Sequence, residues 1–308
     1  MNNRPAIQLD GLYKSYGSVE ALRGIDLTVP EGEIFGFLGP NGAGKTTAIR
    51  CMLDLIRPSR GSIRMLGIDP QRDPVAVRRQ SGYLPGELRL NDNLTAEATL
   101  RYLASLRGNR LDWGFVRQLS ERLSLDMKRP IKQFSKGNKQ KVGVVQALMH
   151  RPKLLLLDEP TSGLDPLIQQ EVLRLVDEAQ ADGATVFFSS HILSEVQSIA
   201  DRVAIIRHGE IVEVATTDSL INRSFRRATV HFSRPTDPSA LMNVPGVSVI
   251  SHGEESIHLQ VEGTMDPLIK ALARYDVQTF ETERPSLEEI FLAYYEDTPE
   301  TEQREVLA

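Results

Sequence analysis

The sequence predicts an α/β fold built on a mainly parallel sheet, followed by a smaller α+β domain. Three observations predict it. Apolar runs such as IFGFL (34–38) and LLLLD (154–158) have strand length and no polar face, as strands covered on both sides do. Stretches with helical spacing lie between such runs, so strands alternate with helices. Near Ser219 the pattern changes to short alternating strands with brief helices between them.

Taken in order, residues 6–14 and 24–38 read as strands, because AIQLDGLYK and IDLTVP alternate and IFGFL is continuously apolar. GPNGAGKTT (39–47) turns the chain, and AIRCMLDLI (48–56) continues as a helix. RPSRG is a turn and SIRMLG (62–67) a short strand. Across 96–130, Leu100, Leu103 and Leu106, then Phe115, Leu119 and Leu123, recur at helical spacing. A helix over 139–150 leads to LLLLD. Helix 166–181, strand ATVFFSS (184–190), helix 192–200 and strand RVAIIRHG (202–209) complete the first domain.

The second domain reads as strand (228–234), helix (238–244), hairpin (247–263), helix (267–275) and strand (277–283). This order predicts a small ferredoxin-like sandwich. A final helix, SLEEIFLAYY, follows. Ser286 and Glu289 fit a capping box, and Leu287, Ile290, Phe291 and Tyr294 share a face. The expected boundaries are 5–218 for the first domain, 219–297 for the second, and 298–308 for a disordered tail without apolar content.

Composition narrows the function. The net charge of −5 over 308 residues gives no reason to expect nucleic acid as a partner. One cysteine, Cys51, excludes an internal disulfide and fits a reducing compartment. No N-terminal segment has the form of a signal peptide. The apolar runs fall short of the ~20 residues that span a bilayer. Work at a membrane would therefore need a second, membrane-spanning chain.

The chemistry is concentrated in short segments. Gly39 to Thr46 matches G-x-x-x-x-G-K-[ST], between a buried strand and a helix. Glycines let the backbone curl so that consecutive N–H groups point at phosphate oxygens, and the helix adds its positive end. Lys45 is placed to reach the β- and γ-phosphates and the Thr46 hydroxyl to ligate Mg²⁺. The rest of the loop, Pro40, Asn41, Gly42, Ala43 and Gly44, with Thr47 just inside the helix, would line the same cradle. At the end of LLLLD, Asp158 is placed to hold the metal and Glu159 to orient and deprotonate water. A second anion-binding pattern, QFSKGNKQ (133–140), opens another helix.

The ordered set GPNGAGKTT, FSKGNKQ, LLLLDEPTSGLD and SSH resembles the ATP-binding cassette (ABC) ATPases over about residues 5–215. With the extra C-terminal domain it is most similar to cassettes that drive ABC type-two exporters. The resemblance implies a phosphate-loop cassette with a mainly parallel core sheet, N-terminal antiparallel strands and a helical subdomain at about 86–150. It implies ATP as substrate, Mg²⁺ as cofactor, a homodimer of cassettes, and a separate transmembrane permease at the inner face of the cell membrane. Two cassettes would face head to tail, so that Ser135, Lys136, Gly137 and Asn138 serve the partner's ATP. Tyr16 would stack on adenine and His191 would contact the γ-phosphate and water. Ser162, Gly163, Leu164 and Asp165 would form the loop that crosses the interface. Where the family has a metal-binding and coupling glutamine, this chain has Gly86 followed by Glu87. Gly86 offers no ligand, so Glu87 or water takes that place. The expected function is ATP hydrolysis that closes and opens the dimer and moves the permease. The alternative is a soluble ABC ATPase acting on nucleic acid or ribosomes.

Overall fold

The computed structural model of the chain describes residues 5–108, 111–219, 226–234, 241 and 244–283. The chain divides into two compact units, residues 1–215 and 216–308.

In the first unit, β1 (Pro5–Tyr16), β2 (Val19–Pro30) and β4 (Arg60–Met65) form an antiparallel sheet in the order β2-β1-β4. The central sheet has the order β5-β6-β7-β3-β8-β9. Its strands are β3 (Ile34–Leu38), β5 (Ser81–Leu84), β6 (Leu154–Asp158), β7 (Thr185–Ser190), β8 (Arg202–Arg207) and β9 (Glu210–Thr216). Pairing is parallel from β5 through β8. The helices are α1 (Lys45–Met52), α2 (Pro74–Gln80), α3 (Ala96–Leu106), α4 (Trp113–Arg122), α5 (Lys136–Leu148), α6 (Pro166–Ala181) and α7 (Leu193–Ile199). Every residue of β3, β6 and β7 is buried, which explains their lack of alternation.

The strands alternate which face they present. Phe35, Phe37, Leu154, Leu156 and Phe187 join residues of the antiparallel sheet and α1 in one core. Phe35 stacks on Phe187, its register partner, with centroids 5.8 Å apart. On the other face, α5, α6 and α7 pack against the sheet.

Several boundaries differ from the sequence reading. The run 24–38 is two strands, because the chain turns between Pro30 and Ile34 through Gly32 at φ 80°. The helix after the phosphate-loop motif ends at Met52, not at Ile56. Asp54 takes φ 49°, a left-handed conformation no helix continues through. Helix α5 begins at Lys136, three residues earlier than expected, because Ser135 caps it. Strands β5 and β9 and helix α2 were not read from the sequence. The four-residue β5 is too short to show periodicity, and its parallel pairing with β6 creates it. β8 and β9 are joined by His208 and Gly209, both at positive φ, as in a tight hairpin turn.

In the second unit, β10 (Arg226–Phe232), β11 (Val247–His252), β12 (Ser256–Val261) and β13 (Val277–Glu283) pair antiparallel in the order β11-β12-β10-β13. This is the ferredoxin-like order. Helix α8 (Asp266–Leu272) contributes Leu268 and Leu272 to a core with Ala228, Val230, Ile257 and Leu259. The expected helix 238–244 is described only at Leu241 and Val244. The capping box at Ser286 and Glu289, the face of Leu287, Ile290, Phe291 and Tyr294, and the tail lie outside the described residues.

Candidate nucleotide site

Four loops leave the carboxyl ends of β3, β5, β6 and β7, the place where parallel α/β sheets bind ligands. The central loop is Gly39–Gly44. A Cβ at Gly39 would overlap the Ile206 carbonyl, and one at Gly44 (φ 109°) would lie 2.6 Å from Ala21 O. Only glycine lets the loop pass so close to β8 and β2. α2 to α6 begin with capping side chains from Asp73, Thr95, Asp112, Ser135 and Asp165. α1 begins at Gly44 with no side-chain cap. Its first amides are therefore left for an external acceptor, and an anion suits them.

Lys45 opens α1 and is 5% exposed. Its Nζ folds back over the loop, donating to Gly39 O at 2.6 Å and Pro40 O at 2.9 Å. Burial pushes its pKa below the ordinary lysine value, against the opposing pull of Glu159 and Asp158. Beside it the Thr46 hydroxyl donates to Asp158 Oδ2 at 2.7 Å, while Ser189 Oγ donates to Asp158 Oδ1 at 2.5 Å. A hydroxyl and a carboxylate held side by side at the phosphate loop are hard oxygen donors, and they fit Mg²⁺, which takes few protein ligands and fills its shell with water and phosphate oxygens.

Glu159 follows Asp158 at φ 51°, an uncommon conformation for glutamate. Its backbone is held on both sides. The amide donates to Ser189 O at 3.1 Å and Ser189 Oγ at 3.2 Å, and the carbonyl accepts from Gln140 Nε2 at 3.0 Å. The carboxylate is thereby aimed between two groups. Glu159 Oε1 is 3.9 Å from Lys45 Nζ and 3.2 Å from His191 Nδ1.

The other sequence candidates fall into three places. Tyr16 ends β1, is 47% exposed, and carries Lys14 Nζ 5.0 Å from its ring centroid. Its register partner is Val19, two residues before the Ala21 that backs Gly44. Ser135, Lys136, Gly137 and Asn138 form the start of α5. Ser135 Oγ accepts from the Asn138 amide at 3.2 Å. A Cβ at Gly137 would overlap Gly163 O, and Lys136 Nζ donates to Ser162 Oγ at 3.2 Å. The Ser135–Asn138 turn and the Ser162–Asp165 loop are therefore one surface of the same chain. Among the described residues, the hydrogen bonds of Ser135 and Lys136 run within that surface and not to the phosphate loop. Gly86 packs against the Thr46–Asp158 pair, since a Cβ there would lie 3.0 Å from Asp158 Oδ2. Glu87 bonds Arg89 at 3.1 Å and is largely exposed.

Sequence reasoning missed Gln140, Ser189 and Glu195, each of which holds one of these loops. The available signals were a glutamine buried inside an apolar helix face and two serines closing a fully buried strand.

Comparison with known proteins gives the family and the fold. The family described as ABC transporter matches residues 22–162, and the family described as ATP-binding protein DrrA1-3-like, C-terminal domain, matches residues 219–295. The chain is 39% identical over 207 residues to the ABC transporter ATP-binding protein NatA of Bacillus subtilis, covering 66% of this chain and 84% of that one. It is 31% identical over 312 residues to the daunorubicin/doxorubicin resistance ATP-binding protein DrrA of Streptomyces peucetius, covering 95% of this chain and 94% of that one. Among solved structures, the dimeric post-hydrolysis state of the ATP-binding cassette MJ0796 with ADP and Pi matches in fold. Its TM-score is 0.63 at 23% identity, over 68% of this chain and 98% of that one.

Proposed function

We propose, from the premise that this chain belongs to the ABC transporter family of ATP-binding proteins, a residue-level account of how it hydrolyses ATP and passes the energy on. The chain is the ATP-binding, ATP-hydrolysing subunit of a transporter of the exporter type. The observation that carries the account is Glu159 Oε1 held between Lys45 Nζ and His191 Nδ1.

In this reading the α1 amides and the loop from Gly39 to Thr47 hold the triphosphate. Lys45 exchanges the carbonyls of Gly39 and Pro40 for β- and γ-phosphate oxygens, which offset the burial that depresses its pKa. Glu159 orients a water and takes its proton as the water oxygen bonds the γ-phosphorus and the bond to the bridging oxygen breaks. His191 holds Glu159 and the γ-phosphate in line. Thr46 and Asp158 would hold Mg²⁺, which supplies charge neutralisation to the phosphate chain. Tyr16 offers its exposed ring to adenine.

Ser135 and its neighbours share a surface with Ser162–Asp165 and bond within it, which supports their use by a second copy of the chain. A structure of similar fold was solved as a dimer, which suits a second copy here. A groove of about 270 Å³ beside Gly86, lined by Leu53, Leu55, Tyr83, Pro85, Leu88 and Arg107, supports docking of a separate permease. In this reading the chain works at the inner face of the membrane beside that permease; no helix among the described residues is long and apolar enough to cross one. The relative named for daunorubicin/doxorubicin resistance supports export of toxic organic compounds as the transport class.

Lys45→Ala is expected to lower ATP turnover at least about 100-fold, read as phosphate release. Glu159→Gln is expected to accumulate a dimer with MgATP by size exclusion. Retained turnover in the first removes Lys45 from the reaction, and a persistent monomer in the second removes the shared site.

A further inference from the structure

The mechanism makes no use of the buried carboxylate of Glu195. Glu195 lies in the first turn of α7 and is 7% exposed. A carboxylate so placed is costly unless hydrogen bonds satisfy it. Both of its oxygens are occupied, and by different loops. Thr161 Oγ1 donates to Oε1 at 2.5 Å, and Ser190 Oγ donates to Oε2 at 2.8 Å. Both donors are themselves 2% exposed. The Ser190 hydroxyl also accepts from the Ile192 amide at 2.9 Å, so a continuous chain runs from Ile192 N–H through Ser190 Oγ to Glu195.

The two loops are those that carry the reacting groups. Thr161 is two residues past Glu159, in the turn where Ser162 N donates to Glu159 O at 3.1 Å. His191 stands between Ser190 and Ile192, so the turn pinned by Ser190 Oγ is the one that presents its ring. Hydroxyls donated to one shared carboxylate fix the distance between the loops in a way that two separate caps could not.

We propose that Glu195 is a positioning residue, a clasp that holds the 3.2 Å pairing of Glu159 and His191 by tying their two turns together. The proposal rests on the reading of Glu159 and His191 given above. Its consequence is communication: a change at Thr161, beside the interface loop Ser162–Asp165, reaches the histidine turn through Glu195.

The test is amide hydrogen exchange by mass spectrometry on the full chain without nucleotide, followed by ATP turnover. Thr161→Val removes the hydroxyl and keeps the shape. It is expected to speed exchange at residues 191–193 about tenfold. Ser190→Ala is expected to do the same at 162–164. Glu195→Ala is expected to lower kcat at least tenfold with KM for ATP within threefold. Glu195→Gln recovers part of the rate, because an amide keeps one acceptor and Ser190 can turn its proton to Ile192 O, 3.2 Å away. If Thr161→Val leaves 191–193 unchanged, or if Glu195→Ala keeps wild-type kcat, the clasp is overturned. Should Glu195→Ala fail to fold, the two hydroxyl variants decide. Wild-type turnover in His191→Ala would instead overturn the reading of the site while the exchange result still stands by itself.

Discussion

At residue 86 a side chain would meet the Asp158 carboxylate. Thr46 donates to Asp158 Oδ2, and a Cβ at 86 would press on that same oxygen at 3.0 Å. Gly86→Ala is therefore expected to lower kcat about 3- to 10-fold, roughly 1 kcal/mol, with stability nearly unchanged. An unaltered kcat would show that Asp158 yields freely. A second residue-scale effect comes from His150. Burial, then the nearby Arg107 guanidinium, push its pKa from the ordinary 6.5 to about 4, although Ser81 O accepts from its ring. The folded chain thus binds this proton more weakly than the unfolded chain. Stability should be full above pH 6.5, fall as pH drops toward 4, and level off below. The gap corresponds to about 3 kcal/mol at most. Urea titrations across that window should show the fall, and His150→Leu should flatten it. The site residues legible in the sequence are those in contiguous loops, such as Gly39–Thr47 and Asp158–Asp165, where spacing alone brings donors together. Ser189 and Glu195 were not legible because strand register puts Ser189 beside Asp158 and α7 packing puts Glu195 under two loops.

Among the elements, α4 is joined to α6 by charge. Arg122 donates Nε to Glu171 at 2.5 Å and Nη1 and Nη2 to Glu178 at 2.5 and 2.8 Å. Such forked, charge-assisted bonds are the strong kind, but Glu178 is 57% exposed and solvent screens it, whereas Glu171 is 18% exposed. Arg122→Ala is expected to cost about 1–2 kcal/mol by urea unfolding. Glu171→Ala should cost more than Glu178→Ala, and the reverse order would show that bidentate geometry outweighs burial. Element type was readable wherever burial is complete or one-sided, as in β3, β6 and α6. It failed at β5, which only pairing defines, at β9 and α2, and at the end of α1, where one left-handed residue stops a helix whose apolar spacing continues.

For the whole molecule, what matters is that each unit has a hydrophobic core of its own among the described residues. Phe35, Phe37 and Phe187 centre the first, and Val230, Ile257 and Leu259 the second, and the two clusters share no residue. A domain with its own core unfolds as its own cooperative unit. In the proposed reading the triphosphate is held by loops of the first unit, Gly39–Thr47 and those that carry Asp158, Glu159 and His191, so its binding energy should be felt there. In calorimetry of the Glu159→Gln chain, which prevents turnover, two transitions are expected. ATP with Mg²⁺ at about 100 times its Kd should stabilise one of them by at least about 2.7 kcal/mol, more where the chain dimerises, and leave the other in place. A single transition, or two that rise together, would mean that the second unit shares in holding the nucleotide-bound state, and that the ferredoxin-like sheet is a working part of the ATP cycle.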